Sequence, residues 1–240
     1  MGSYRTIFPK RHTFLTVIHA EDETQVVRNV ITSKDYGADG TFLINHSASP
    51  EALFRMYAAA RKAVPEFWIG LNVLGVNPLQ ALKRMPPSLL DGLQGLWADD
   101  PGMHTGLEKS FKLYRENEIG WQGLYFGSVA FKYQDDYTED PFRAARLAVT
   151  AEPFMDVVTT SGAKTGTPPS APKIKGMKDK LDDSPLAIAS GMTIENVNEY
   201  LPFIDCFLVS TGVSNSFTEL SATKVMAFHD KCEAYDCRSR

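Results

Sequence analysis

The chain has 240 residues, 43% hydrophobic and 22% charged, with 25 basic against 29 acidic side chains and a formal net charge of -4. So mild a balance argues against a nucleic-acid or membrane-surface binder, and no apolar run approaches the ~18 residues of a spanning helix. Three cysteines, Cys206, Cys232 and Cys237, form no paired framework and point to a reducing, cytoplasmic setting.

The N-terminus is basic at Arg5, Lys10 and Arg11, but the apolar stretch behind it stops at His19-Ala20-Glu21, too soon for a signal peptide. Met1 to Thr6 fits the N-myristoylation pattern and Asn45-His46-Ser47 the glycosylation triplet; both read as incidental matches. Short apolar runs begin near Phe14 (FLTVIH), Thr41 (TFLIN), Phe67 (FWIGLN), Gly95 (GLWAD), Gly123 (GLYFG), Met155 (MDVVTTSG), Leu186 (LAIASG) and Cys206 (CFLVSTG). They are continuous rather than alternating, as in parallel strands covered on both faces.

The segments between them read as helices. Val26, Val27, Val30 and Ile31 form one apolar face, and Leu53, Met56, Tyr57 and Ala60 another. Ser49-Pro50 and Asp140-Pro141 each put a capping oxygen before a proline at the first helical position. Thr193 is expected to cap a short seventh helix, and Thr218 an eighth that continues through Val225 and Met226. The run from Ser161 to Pro169 is rich in glycine and hydroxyls and reads as a functional loop.

Strand-like runs recur every roughly 20 to 32 residues, the spacing of one strand, one helix and two short loops. The expected fold is therefore α/β, a single (β/α)8 TIM barrel over residues 1–240, with 1–12 as an N-terminal extension and 161–173 as a long loop after strand six.

In such a barrel the chemistry collects where the strands end. Those ends carry His19, Asn45 with His46, Asn72, Asp99 with Asp100, Lys132, Ser161-Gly162, Ser190-Gly191 and Ser210-Thr211-Gly212. The expected catalytic residues are His19, Asp99 and Lys132, with Asn45 and Asn72 as substrate hydrogen-bond partners or as ties between neighbouring strands. Ser161, Gly162, Ser190, Gly191, Ser210, Thr211 and Gly212 supply backbone N-H groups and hydroxyls for a phosphate. Asp100 reads as a solvent-facing or capping residue. His19, His46, Asp99 and His104 would be the donors of a divalent metal if one is used, but no HExxH or paired-cysteine spacing supports it. No Rossmann fingerprint or Walker loop is present.

Several stretches together resemble the BtpA family over roughly residues 14 to 215. They are Gly37-Ala38-Asp39-Gly40, Trp68 to Asn72, Gly95 to Asp99, Phe126 to Gln134, Asp156 to Gly162 with Thr165-Gly166, Ala189-Ser190-Gly191 with Glu195-Asn196-Val197, and Asp205 to Gly212. The resemblance implies a TIM barrel. The family's name implies a part in photosystem I accumulation, which cannot be general because members occur in organisms without photosynthesis. Family members commonly continue after the first-strand histidine with a proline- and glycine-rich turn; here His19 is followed by Ala20-Glu21-Asp22-Glu23, which marks a divergent member.

Two functions follow as expectations. One is an enzyme acting on a phosphosugar or nucleotide-like compound, with isomerisation, aldol-type cleavage and glycosidic-bond cleavage all open. The other is a non-catalytic assembly or regulatory factor of the BtpA type. A flavin oxidoreductase is a distant third. The expected partner is a phosphorylated small molecule, with a homo-oligomer open.

Overall fold

The computed structural model describes residues 4–238; Gly2, the lipidation candidate, lies outside them. All the expected strands form: β1 (Thr13–Ala20), β2 (Gly40–Asn45), β3 (Trp68–Asn72), β4 (Gly95–Ala98), β5 (Leu124–Ser128), β6 (Val157–Ser161), β7 (Leu186–Ala189) and β8 (Cys206–Val209). Each pairs in parallel with the next, and β8 pairs with β1 from Thr13↔Cys206 to Thr16↔Val209, which closes the barrel. The protein is a (β/α)8 TIM barrel.

The helices are α1 (Tyr4–Ile7), α2 (Glu23–Asp35), α3 (Pro50–Ala63), α4 (Pro78–Arg84), α5 (Pro87–Leu90), α6 (Leu107–Leu113), α7 (Pro141–Ala151), α8 (Ala171–Leu181), α9 (Val197–Tyr200) and α10 (Ala222–Arg238). None is long and apolar enough to cross a membrane among the described residues. The expected caps start α3, where Ser49 accepts from Ala52 N, and α7, where Asp140 accepts from Arg143 N at 2.6 Å. The α3 face of Leu53, Met56, Tyr57 and Ala60 is buried as expected.

Other expectations are corrected. On α2, Val26 and Val30 are buried but Ile31 is exposed; Gln25, Asn29 and Ser33 complete the buried face instead. Their polar atoms have partners: Gln25 and Asn29 both donate to the Thr218 carbonyl, and Ser33 bonds Thr16. Thr218 is thus an acceptor for α2 rather than a cap, and α10 begins only at Ala222. Thr193 precedes α9 by a turn and gives its N-H to Asn196 Oδ1. The loop after β6 ends at Ser170, which caps α8, so it is shorter than 161–173.

Side chains alternate along the strands, which sorts the core into two layers. Residues such as Phe14, Leu43, Ile69, Leu71 and Phe207 face the helices. Leu15, Val17, Phe42, Ile44, Trp68, Trp97, Phe126 and Leu208 fill the lumen. The lumen aromatics meet largely edge to face: Phe42 lies 5.1 Å from both Trp68 and Phe126, and 5.6 Å from Trp97. From α1 and the turn after it, Tyr4 and Phe8 close the N-terminal end, with Phe8 5.3 Å from Trp68 and the Tyr4 hydroxyl 2.7 Å from Thr13 Oγ1.

So many rings fit because neighbouring strand positions have no side chain. A Cβ at Gly70 would sit 2.7 Å from Phe42 Cδ1, and one at Gly95 would sit 2.5 Å from Trp68 Cη2. Gly95→Ala is therefore expected to destabilise the fold by about 1–3 kcal/mol through overpacking. Gly92→Ala, whose nearest contact would be 3.8 Å away, is the matched control. Urea denaturation of both variants checks it: equal midpoints would disprove the packing argument.

Candidate functional site

At the C-terminal end of the barrel the lumen opens into a cavity of about 500 Å³. The strands deliver its walls two residues at a time. Val17, Ile44, Trp97, Ala189 and Leu208 make a floor; two positions further on stand His19, His46, Asp99, Gly191 and Ser210. Lys132, Tyr133, Thr165, Ser190, Thr211 and Phe217 enter from loops. Another hollow, of about 380 Å³, lies at the opposite end beside Ile7, Trp68 and Trp121, the face that mainly stabilises this fold.

The structure brings His19, Asp99 and Lys132 into one cavity with Ser190, Gly191, Ser210 and Thr211. Lys132 reaches toward the hydroxyl side: its Nζ is 3.1 Å from Ser190 Oγ and 3.2 Å from Thr165 Oγ1. No salt bridge ties it to a carboxylate among the described residues. Burial pushes its pKa down, against an opposing pull from Asp99. Lys132 thus stands with the Ser190 and Thr165 hydroxyls as much as with Asp99.

Asp99 is partly buried and accepts from Asn72 Nδ2 at 2.8 Å. Burial raises its pKa, while Asn72, Lys132 and His46 pull it back. His19 stacks on Phe217, with ring centroids 4.0 Å apart and planes 22° apart, and His46 lies 4.7 Å away. Its Nδ1 is buried with no hydrogen-bond partner among the described residues. Burial, then His46, then Lys132 lower its pKa from 6.5 to about 4. His46 is lowered too, by burial first and Lys132 second. His19 therefore meets a ligand as a neutral imidazole at pH 7 rather than as a group poised near neutrality.

The asparagines have other tasks. Parity turns Asn45 outward, between the inward Ile44 and His46, where it donates to Ala48 O and accepts from Leu74 N, both at 2.8 Å. It fixes the loop after β3 and does not line the cavity. Both of its amide atoms are engaged, which also suits the glycosylation triplet being incidental. Asn72 points inward but is spent on Asp99.

Ser161 is also internal, accepting from Lys132 N at 2.9 Å and donating to Gly162 O. Gly162 and Gly212 are packing glycines. A Cβ at Gly162 would lie 2.6 Å from Pro168 O, one at Gly191 2.5 Å from Thr167 C, and one at Gly212 would strike Met192 O. Absence of side chains there lets the loops after β6, β7 and β8 nest backbone against backbone. Ser190 and Gly191 both have positive φ, 72° and 71°, a turn in which the non-glycine member carries strain. Beyond Ser210 the 3-10 turn Thr211–Val213 starts; its first internal bond is Val213 N to Ser210 O, leaving the N-H groups of Thr211 and Gly212 ahead of it.

Asp100 accepts from Gly102 N, a local turn on an exposed residue. His104 is exposed and does not line the cavity, so it does not join His19, His46 and Asp99. Among the described residues no group of three His, Cys, Asp or Glu side chains is placed to hold a metal.

Sequence reasoning missed Lys173, whose Nζ donates to Ala130 O at 2.8 Å and to Ser161 O at 2.7 Å. It is fully buried, with Glu139 at 3.8 Å, and burial lowers its pKa to about 8. The two carbonyls it joins flank Lys132: Ala130, at φ 47°, lies two residues before it, and the Ser161 hydroxyl holds its N-H. The signal was its register with Ile174, Met177 and Leu181 on the buried face of α8.

No protein-family model and no curated protein matches the sequence. Solved structures match the fold. (S)-3-O-geranylgeranylglyceryl phosphate synthase from Thermoplasma acidophilum, in complex with its substrate sn-glycerol-1-phosphate, aligns with a TM-score of 0.70 at 12% identity, covering 98% of this chain and 100% of that one. Phosphoribosyl anthranilate isomerase from Thermus thermophilus aligns at 0.61 and 13%, covering 93% and 99%. Tryptophan synthase subunit alpha from Legionella pneumophila aligns at 0.62 and 14%, covering 93% of each. At these identities the likeness is one of fold.

Two outcomes are expected. In the folded state His19 holds fewer protons than in the unfolded chain between pH 4 and 6.5, so its contribution is complete above 6.5 and lost as pH falls toward 4. His19→Gln should flatten that acid limb of a Tm-against-pH curve; a curve parallel to wild type refutes the assignment. Lys173→Met removes the ammonium donor from two buried carbonyls, leaving Ala130 O only a long bond of 3.4 Å from Thr160 Oγ1, and should cost about 1–3 kcal/mol in urea denaturation, against little change for the exposed Lys175→Met.

Proposed function

We propose that this protein is an enzyme acting on a phosphorylated small molecule, with the phosphate seated between Lys132 and the Ser190-Gly191 and Ser210-Thr211 turns. The carrying observation is Lys132, a partly desolvated cation 3.1 Å from Ser190 Oγ and not salt-bridged to a carboxylate among the described residues. Such a cation in a pocket with the Thr165, Ser190 and Thr211 hydroxyls favours an anion. Two structural neighbours support the reading by their names: a synthase in complex with a glycerol phosphate, and an isomerase of a phosphoribosyl compound.

The opposite side of the cavity supplies the chemistry. Asp99, with a raised pKa and an orienting hydrogen bond from Asn72, is the candidate proton acceptor or donor. His19 lines the same cavity as a neutral imidazole. A phosphate anchored at Lys132 would hold the rest of the substrate over Asp99, so that remote binding orients the reacting carbon. The resemblance to the BtpA family, as a divergent member, is compatible with this reading and names no reaction.

Inorganic phosphate and ribose 5-phosphate are expected to raise the melting temperature. A ligand at 100 times its dissociation constant stabilises by about 2.7 kcal/mol. Lys132→Ala and Thr211→Val should reduce that shift, whereas Gly212 is unsuitable as a probe because its Cβ would strike Met192 O. If neither phosphate shifts the curve, the reading is wrong.

A further inference from the structure

The polar side chains of the mouth gather on one side, where Tyr133 and Met192 also line it. Lys132, Thr165, Ser190 and Thr211 hold one side, over β5 to β8. Over β1 to β3, the side expected to hydrogen-bond substrate, Asn45 is turned outward and Asn72 is committed to Asp99. What remains there is Ile44, Leu74, the His19 and His46 rings, and Phe217, which comes from the loop after β8.

Two of these come from loops rather than from the strands, Leu74 packing against the lumen layer from above. Leu74 is a loop residue held toward the cavity by the bond from its N-H to Asn45. Phe217 leaves 57% of its surface in solvent while one ring face stacks on His19. Both imidazoles lie against this wall with their pKa values lowered, so they present ring faces without charge at pH 7. Flat, uncharged faces reward stacking with a planar apolar group far more than contact with a hydroxylated chain. The cavity, at about 500 Å³, has room for a ring as well as a phosphate.

Building on the phosphate reading above, we infer that the end of the substrate remote from its phosphate is a planar aromatic group, seated on the wall formed by Leu74, His46, His19 and Phe217. The ligand class is an aryl-bearing phosphate rather than a simple polyol phosphate. Asp99 then stands between the anchored phosphate and the ring, beside the linkage that joins them.

The test measures affinities by calorimetry for inorganic phosphate, phenyl phosphate, 1-naphthyl phosphate, glycerol phosphate and ribose 5-phosphate. The aryl phosphates are expected to bind at least ten-fold more tightly than the two polyol phosphates. Phe217→Ala should remove most of that preference and Phe217→Tyr should retain it; the exposure of this side chain keeps the fold out of the comparison. Equal affinity for aryl and polyol phosphates, or a preference untouched in Phe217→Ala, overturns the inference and leaves the phosphate reading intact. Failure of every phosphate, the inorganic ion included, overturns both.

Discussion

The filling of the barrel lumen is the constraint from which the rest follows. A closed eight-stranded sheet has an interior that side chains must occupy, and here much of the volume comes from Phe42, Trp68, Trp97 and Phe126 packed as tilted and edge-to-face rings. Rings of that size are accommodated because Gly70 and Gly95 leave strand positions empty. The plug is completed from below by Tyr4 and Phe8, and the lumen opens at its C-terminal end. Trp97 serves both purposes: it packs on Phe42 below and floors the cavity above, with its indole N-H held by Ser128 at 3.0 Å.

Above that floor the problem changes from filling space to holding loops. The loops after β6, β7 and β8 touch through glycines, whereas the loop after β5 is held by side chains. Lys173 clamps the carbonyls of Ala130 and Ser161, and the Ser161 hydroxyl takes the N-H of Lys132. A buried ammonium is costly unless its protons are accepted, and here two carbonyls and the nearby Glu139 accept or offset the charge. Positive φ at Ala130 and Tyr133 shows the same loop held in a conformation its residues do not favour by themselves. Both facts point to a segment whose position is over-determined, as expected if Lys132 must be placed accurately.

The barrel was legible because its signal repeats: eight continuous apolar runs at regular spacing, separated by capped amphipathic stretches. The rim was legible in outline, since strand ends can be read to within a residue or two. That margin is enough to misplace side chains. Asn45 and His46 are adjacent at a strand end, and one step of alternation decides which faces the cavity. Glycines were equally ambiguous, because a glycine that admits an anion and one that admits a neighbouring backbone look alike in sequence; Gly212 proves to need the second whatever its N-H does. Lys173 went unseen because a lysine on a helix normally reads as solvent-facing. Phe217 lay in a loop with no periodicity to place it over His19.

The ionisation of the empty cavity is not the ionisation a phosphate would meet. His19 is depressed by burial, by His46 and by the positive charge of Lys132, and Asp99 is raised by burial but restrained by Lys132. An anion on Lys132 would cancel the last influence on both. The His19 pKa would then rise from about 4, and the Asp99 pKa would rise further above that of an ordinary carboxylate. Under the proposed function, the charge that anchors the substrate raises Asp99 toward proton-transfer range, whereas His19, depressed first by burial, stays a neutral partner. A site with Lys132 salt-bridged to a carboxylate would lack this coupling, because its cation would already be neutralised before any ligand arrived.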